Sequence, residues 1–147
     1  LNCRMPIRII DHGSPSYQEM IALRMEILRK PLGLSFNPED LEKEVQDILI
    51  GVFDDDQLVA CCILTKVNTE TCKLRQMAVH PKMQKNGVGA ALMHFAENVA
   101  KDNGYKNMVM NSRKTAVGFY EKLGFAISSD EFEEVTIPHF QMSKQLI

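Results

Sequence analysis

The stretch Gln84-Lys85-Asn86-Gly87-Val88-Gly89-Ala90-Ala91-Leu92 stands where a loop turns into the longest helical pattern of this 147-residue chain. Its glycines let an anion approach the backbone closely, and the first turn of a helix offers unpaired N–H groups at the positive end of the dipole. Such a segment is built to cradle a diphosphate. It is not a dinucleotide fingerprint, because the third glycine of G-x-G-x-x-G would fall at Leu92 and no acid follows about twenty residues on in a second strand to take a ribose. Nor is it a Walker P-loop, since no Gly-Lys-Ser/Thr follows.

On the N-terminal side of the cradle, Lys73 to Val79 reads as a strand that His80-Pro81 breaks. On the other side, apolar residues at 88, 91, 92, 95, 96, 99 and 100 form a helical stripe that Gly104 ends. Lys106 to Asn111 reads as the next strand. Ala116, Phe119, Tyr120 and Leu123 would line one face of a short helix closed by Gly124, and a last strand runs from about Thr136 to Ser143. Upstream, a strand at Ile7 to Ile10 leads to a helix from about Tyr17 to Arg29, with Met20, Ile21, Met25 and Leu28 as its apolar face and Pro31 and Gly33 as its stop. Asn37-Pro38-Glu39-Asp40 has the N-cap, N1 proline and early acids of a second helix, reaching about Gln46. Ile48 to Phe53 and Leu58 to Leu64 flank Asp54-Asp55-Asp56-Gln57 as a hairpin, the second run apolar enough for a central strand. Antiparallel strands followed by a strand, helix, strand, helix unit predict an α+β class: a mixed, mostly antiparallel sheet flanked by helices.

Length and composition agree with one domain over 1–147: 45% apolar and 24% charged residues describe an ordinary folded chain. The net charge of −2 gives no global field for nucleic acid or an anionic membrane. Charge is uneven, however. Glu39 to Asp56 holds eight acids against Lys43 alone, a local −7, whereas Thr71 to Ala96 holds four bases and no acid, a local +4. No apolar run approaches the roughly 20 residues that span a bilayer, and Leu1-Asn2-Cys3-Arg4-Met5-Pro6 lacks a secretory apolar stretch, so a cytoplasmic protein is expected. The leading leucine, with Met5 close behind, suggests that residue 1 is not the native start. Cys3, Cys61, Cys62 and Cys72 fit no disulfide framework, because neighbours in a strand point to opposite faces. Cys62, Cys72 and His80 lack zinc spacing, and no metal is expected.

Lys73-Leu74-Arg75-Gln76-Met77-Ala78-Val79-His80-Pro81, followed by Gln84, Gly87 and Gly89, resembles motif A of the Gcn5-related N-acetyltransferases, whose Q/R-x-x-G-x-G/A those three residues match. Downstream, Ala116-Val117-Gly118-Phe119-Tyr120-Glu121-Lys122-Leu123-Gly124-Phe125 is similar to the family's A-x-x-F-Y-x-x-x-G-F motif B. The two motifs span Lys73 to Phe125, about a third of the chain. Ile137-Pro138-His139 resembles the last strand of a branch of small bacterial members.

The resemblance implies acetyl-coenzyme A (acetyl-CoA) as cosubstrate, wedged between two splayed parallel strands, Lys73 to Val79 and Lys106 to Asn111. The backbone of Gln84, Lys85, Asn86, Gly87, Val88, Gly89 and Ala90 would hold the pyrophosphate, with Lys82 and Lys85 adding charge. Met77, Ala78 and Val79 would meet the pantetheine, and an N–H near Val79 would serve as oxyanion donor. Tyr120 matches the general acid that returns a proton to the departing thiolate. Where many members have an asparagine three residues before the motif B alanine, this chain has Arg113, and no asparagine contact is carried over. For the base, Glu133, Glu134 and His139 are candidates, with His139 preferred. The acceptor, a small-molecule or peptide amine, would meet the first two helices, where Arg24, Arg29 and Lys30 could hold an anionic group. The acidic stretch would instead suit a polycation, so the residues alone leave the amine open. Dimerisation is a habit of the family. Other readings are a domain that binds acetyl-CoA without transfer, as a sensor or interaction module, and a nucleotide-binding regulatory domain, which the missing third glycine disfavours.

Overall fold

Cys61 and Cys62 are both fully buried, yet they belong to two different hydrophobic clusters, so the strand that carries them is covered on both faces. The fold is described from a computed structural model over residues 5–147; Cys3 and the question of the native start at Leu1 lie outside the described residues. The elements run β1 (Ile7–Ile10), α1 (Pro15–Arg24), α2 (Pro38–Lys43), β2 (Ile48–Asp54), β3 (Gln57–Lys66) and β4 (Thr71–Val79). They continue as α3 (Val88–Asp102), β5 (Asn107–Arg113), α4 (Val117–Lys122), β6 (Ala126–Ile127), β7 (Phe132–Glu134) and β8 (Ile137–Gln145). The strands form one eight-stranded sheet in the order β1-β2-β3-β4-β5-β8-β6, with β7 also on β8. Among the described residues only β4 and β5 pair in parallel. The expected mixed, mostly antiparallel sheet is therefore the observed one.

One face packs against α1 through Tyr17, Met20 and Leu23; the other packs against α3 through Val88, Leu92, Met93, Ala96 and Ala100. Burying these side chains at about 25 cal/mol per Å² is what holds the layers together. The Asn37 cap is where the sequence places it, accepting the Glu39 N–H at 2.9 Å. The first helix starts at Pro15, earlier than the expected Tyr17, because Ser14 caps it by accepting the Tyr17 N–H at 3.2 Å.

Expectations for four elements need correction. The first helix does not continue regularly to Arg29: after Arg24 it widens into a π-turn over Met25–Arg29 and then a 3₁₀ turn at Lys30–Leu32 before Gly33. Its buried face is Tyr17, Met20, Leu23 and Arg24 rather than Met20, Ile21, Met25 and Leu28, because a buried salt bridge rotates the helix inward at Arg24. On α3 the buried stripe is shifted toward Met93 and Glu97, leaving Ala91, Phe95 and Val99 half-buried, since Lys144 Nζ draws the Glu97 carboxylate in at 2.7 Å. On α4 only Tyr120 is buried, and Phe119 is 39% exposed. The last strand extends to Gln145 and carries two short partners, β6 and β7, that hydrophobic periodicity does not mark. The β7–β8 turn places Val135 and Thr136 at φ 47 and 65°, a left-handed pair normally left to Asn-Gly, so nothing in its composition announces it.

Candidate active site

β4 and β5 hydrogen-bond only over Thr71–Leu74 against Asn107–Met110; beyond Leu74 they part. The parting has a local cause. Between Cys61 and Ile63 of β3 the register slips, so β4 carries an extra residue, and Gln76 takes φ 55°. Such a bulge bends a strand and increases its twist. A cleft of about 430 Å³ opens there between the two strands.

At the end of β4 the His80 N–H turns toward β3 and donates to the Val59 carbonyl at 2.7 Å. Strand alternation therefore turns the N–H of Val79 toward the opposite edge, the side of the gap. The Val79 carbonyl accepts from Gln84 Nε2 at 3.1 Å, which fastens the glycine loop to the strand end. His80 Nδ1 accepts the Lys82 N–H at 3.1 Å and starts the short turn between them.

The loop then enters α3 through Lys85 at φ 72° and Gly87 at φ 77°, the second of which explains the glycine. No hydrogen bond within the described residues occupies the N–H groups of Gly87, Val88, Gly89 and Ala90. A Cβ on Gly89 would lie 3.2 Å from Phe119 Cζ and 3.6 Å from Met77 Cε, so this glycine keeps the gap between α3 and α4 open. Free N–H groups, a helix dipole and an open gap fit the pyrophosphate and pantetheine of a coenzyme A thioester.

Tyr120 projects from α4 into the cleft, 7% exposed, with its ring edge-on to Phe119 and Phe125 at 5.0 and 6.0 Å. Burial, helped by the nearby Cys62, raises its pKa, so the phenol stays protonated. On the far wall β8 brings His139, paired in register with Arg113. His139 Nδ1 lies 2.8 Å from the Ile137 carbonyl, which can only accept, so Nδ1 is the donor there and Nε2 is the nitrogen left to face the cleft side. Nε2 is 3.5 Å from Glu134 Oε2, and Glu134 Oε1 accepts from Asn111 Nδ2 at 3.3 Å. Glu133 does not line this cleft; Glu134 does.

The arginines part company. Arg24 is fully buried and gives Glu44 two bonds, Nη1 to Oε1 at 2.8 Å and Nη2 to Oε2 at 2.7 Å, so it is not available to a ligand. Lys30 stays in solvent beside Glu26. Arg29 lines the cleft, as does Arg113, whose place opposite His139 only the strand pairing shows. Of the cysteines, burial pushes Cys61 up to about 12 and Cys72 up to about 11, and it raises Cys62 well above its ordinary value, so none of the three offers a thiolate. Among the described residues no cluster of three His, Cys, Asp or Glu side chains could hold a metal ion, and no helix is long and apolar enough to cross a membrane.

A parallel strand pair split by a bulge, with an N–H cradle at its mouth, is the architecture of an acyl-coenzyme A N-acyltransferase. The family model described as acetyltransferase (GNAT) domain matches residues 22–146. YyaT of Bacillus subtilis is 32% identical over 108 residues, covering 74% of this chain and 71% of its own. YjcF of the same organism, described as an N-acetyltransferase, is 28% identical over 137 residues, 92% of this chain and 97% of its own. A GNAT family acetyltransferase of Elizabethkingia anophelis, solved with acetyl-CoA bound, superposes with a TM-score of 0.74 at 20% identity, covering 98% of this chain and 99% of that one. The chain belongs to the GNAT family of acetyl-CoA-dependent N-acetyltransferases.

Proposed function

We propose that the protein transfers the acetyl group of acetyl-CoA directly to a primary amine in a ternary complex. The observation that carries this reading is the convergence on one cleft of a buried, protonated phenol, Tyr120, and an imidazole, His139, whose Nδ1 is already bonded to a backbone carbonyl. Acetyl-CoA supplies the activated acetyl group. Gly87 to Ala90 bind its pyrophosphate through their N–H groups, with Gln84 holding the loop in place and Lys82, Lys85 and Asn86 flanking it. Met77 and Val79 offer their backbone to the pantetheine, beside Ala78. The N–H of Val79 donates to the charge that develops on the thioester oxygen, an effect on the order of 10²- to 10³-fold. His139 Nε2 takes a proton from the incoming ammonium, and the Glu134 carboxylate steadies the imidazolium. Tyr120 gives its proton to the leaving sulfur. The buried cysteines leave no thiolate for an acyl-enzyme.

Calorimetric titration of the protein with acetyl-CoA is expected to give saturable 1:1 binding, with no comparable binding of ATP or NAD. Gly89→Glu, which pushes a side chain and a negative charge into the gap facing Phe119 and Met77, is expected to abolish it while the melting temperature holds. If acetyl-CoA failed to bind at millimolar concentration, the reading would lose its basis.

His139→Gln is expected to lower kcat/KM for the amine by roughly 10²-fold. Acetyl-CoA affinity should stay unchanged. A kcat/KM for the amine within about twofold of the parent would remove His139 as the base. Binding of acetyl-CoA without turnover on any amine would favour the sensor reading instead.

A further inference from the structure

The acceptor side of the cleft is positively charged, and its charges are not those of the cradle. Arg29, Lys73, Arg75 and Arg113 line it, against one carboxylate, Glu134. Arg75 is engaged, with Asp47 at 3.7 Å and the Thr65 hydroxyl at 3.3 Å. Arg29 and Arg113 have no salt-bridge partner among the described residues. Lys82, Lys85 and the free N–H groups at the start of α3 do not line this cleft, so a pyrophosphate bound there does not neutralise it.

Arg29 is also held in place without being satisfied. Its guanidinium carbon lies over the Phe36 ring, 4.7 Å from the centroid, a cation–π contact that uses none of its N–H donors. The π-turn over Met25–Arg29 delivers it, and π-turns are a recurrent device for aiming side chains at functional sites. Arg113 stands on the opposite wall, at the end of β5 and in register with His139. The acids of the Glu39 to Asp56 stretch do not line this cleft; Glu44 and Asp47 are bonded to Arg24 and Arg75.

Resting on the transferase reading, we infer that the acceptor is a primary amine that also carries an oxyanion, a carboxylate or a phosphate. Arg29 and Arg113 hold the oxyanion while the nitrogen lies toward Glu134 and His139. Guanidinium forks match either oxyanion bidentately, and a polycation would be repelled by the same field. Transfer forms the amide C–N bond and breaks the thioester C–S bond. The ammonium gives one proton to His139 before attack. The second, shed by the nitrogen as the tetrahedral intermediate collapses, replaces the proton that Tyr120 gives to the thiol.

Ethanolamine, β-alanine and O-phosphoethanolamine share a two-carbon primary amine and differ in its terminal group, neutral, carboxylate or phosphate, and spermidine supplies the polycation. Thiol release from acetyl-CoA is expected to run at least 10-fold faster in kcat/KM with β-alanine or O-phosphoethanolamine than with ethanolamine, and whichever is faster identifies the oxyanion. Arg29→Gln and Arg113→Gln should each raise KM for the favoured acidic amine by roughly 10- to 100-fold. KM for ethanolamine and the dissociation constant of acetyl-CoA should not move, and Lys30→Gln, outside the cleft, should change nothing. Preference for ethanolamine or spermidine, or variants that affect every amine alike, would overturn the inference with the transferase reading intact. Binding of the acidic amines is read in the calorimeter as well. Arginine-dependent binding without turnover would uphold the oxyanion site and overturn the transferase reading, and no binding with turnover on neutral amines would do the reverse.

Discussion

Tyr120→Phe is expected to lower kcat by about 10²- to 10³-fold while the dissociation constant for acetyl-CoA stays within about twofold. The substitution removes one oxygen and keeps the ring that packs edge-on between Phe119 and Phe125, so packing and coenzyme contacts survive. What is lost is a proton donor. Burial raises the phenol's pKa, which keeps the proton on at neutral pH, and its hydroxyl bonds no other group among the described residues. A thiolate leaving in a partly desolvated cleft gains most from a proton delivered at that moment. Steady-state rates with a saturating amine, beside a calorimetric titration of the variant, separate the two quantities. A kcat within twofold of the parent would show that Tyr120 is a packing residue and that solvent protonates the thiolate.

Arg24→Met is expected to cost about 3–5 kcal/mol of stability, read from chemical or thermal unfolding. Arg24 and Glu44 are 0% and 3% exposed and meet through two short bonds, while the Tyr17 hydroxyl donates to the same carboxylate at 2.7 Å. Removing the guanidinium leaves a carboxylate stranded in the protein interior with only a phenol to answer it. Replacing both partners, as in Arg24→Met with Glu44→Leu, should recover much of the loss, because the desolvation of two charges vanishes with their attraction. The pH dependence has a definite sign. Burial alone would raise the Glu44 carboxyl, but the bonds from Arg24 and Tyr17 and the Arg24 charge outweigh it and hold the carboxyl below its ordinary 4.5. A carboxyl depressed by folding stabilises the native state above its unfolded pKa, and that contribution is lost as the pH falls from about 4.5 through the folded value. The double variant should lack this acid-side loss. Equal pH dependence in parent and double variant would count against the pair as its source. The same pair anchors the end of α1 just before the π-turn that presents Arg29, so the single variant is also expected to loosen the acceptor side of the cleft.

Much of the site was legible from local spacing. Gly87 and Gly89 at a helix start carry their meaning in three residues, since an anion cradle is built from consecutive N–H groups, and the structure leaves those groups free. Asn37-Pro38 and Gly104 likewise act within a turn of where they stand, and both elements begin or end as expected. The alternation that places Cys61 and Cys62 on opposite faces needs only a strand, and the two hydrophobic clusters divide there. The widened turn after Arg24, the β7 strand and the bulge at Gln76 were not legible, because each answers to a partner far along the chain or to a strained backbone that residue type does not announce.

By itself, then, the sequence determined the α+β class, the strand–cradle–helix unit and the family, all of which rest on interactions within a few residues. Only the tertiary structure decided which charges face the cleft. Arg24 and Arg29 are alike as letters on one helical pattern and both lie over the Phe36 ring, yet the first is consumed by a carboxylate 20 residues away and the second lines the cleft with no salt-bridge partner among the described residues. His139 and Glu134 are close along the chain, but it takes the hairpin to fold the carboxylate back to 3.5 Å from Nε2 and the β5 pairing to set Arg113 beside them. The reason is physical: a buried or half-buried charge takes its role from the partner that desolvation forces upon it, and the partner is chosen by packing.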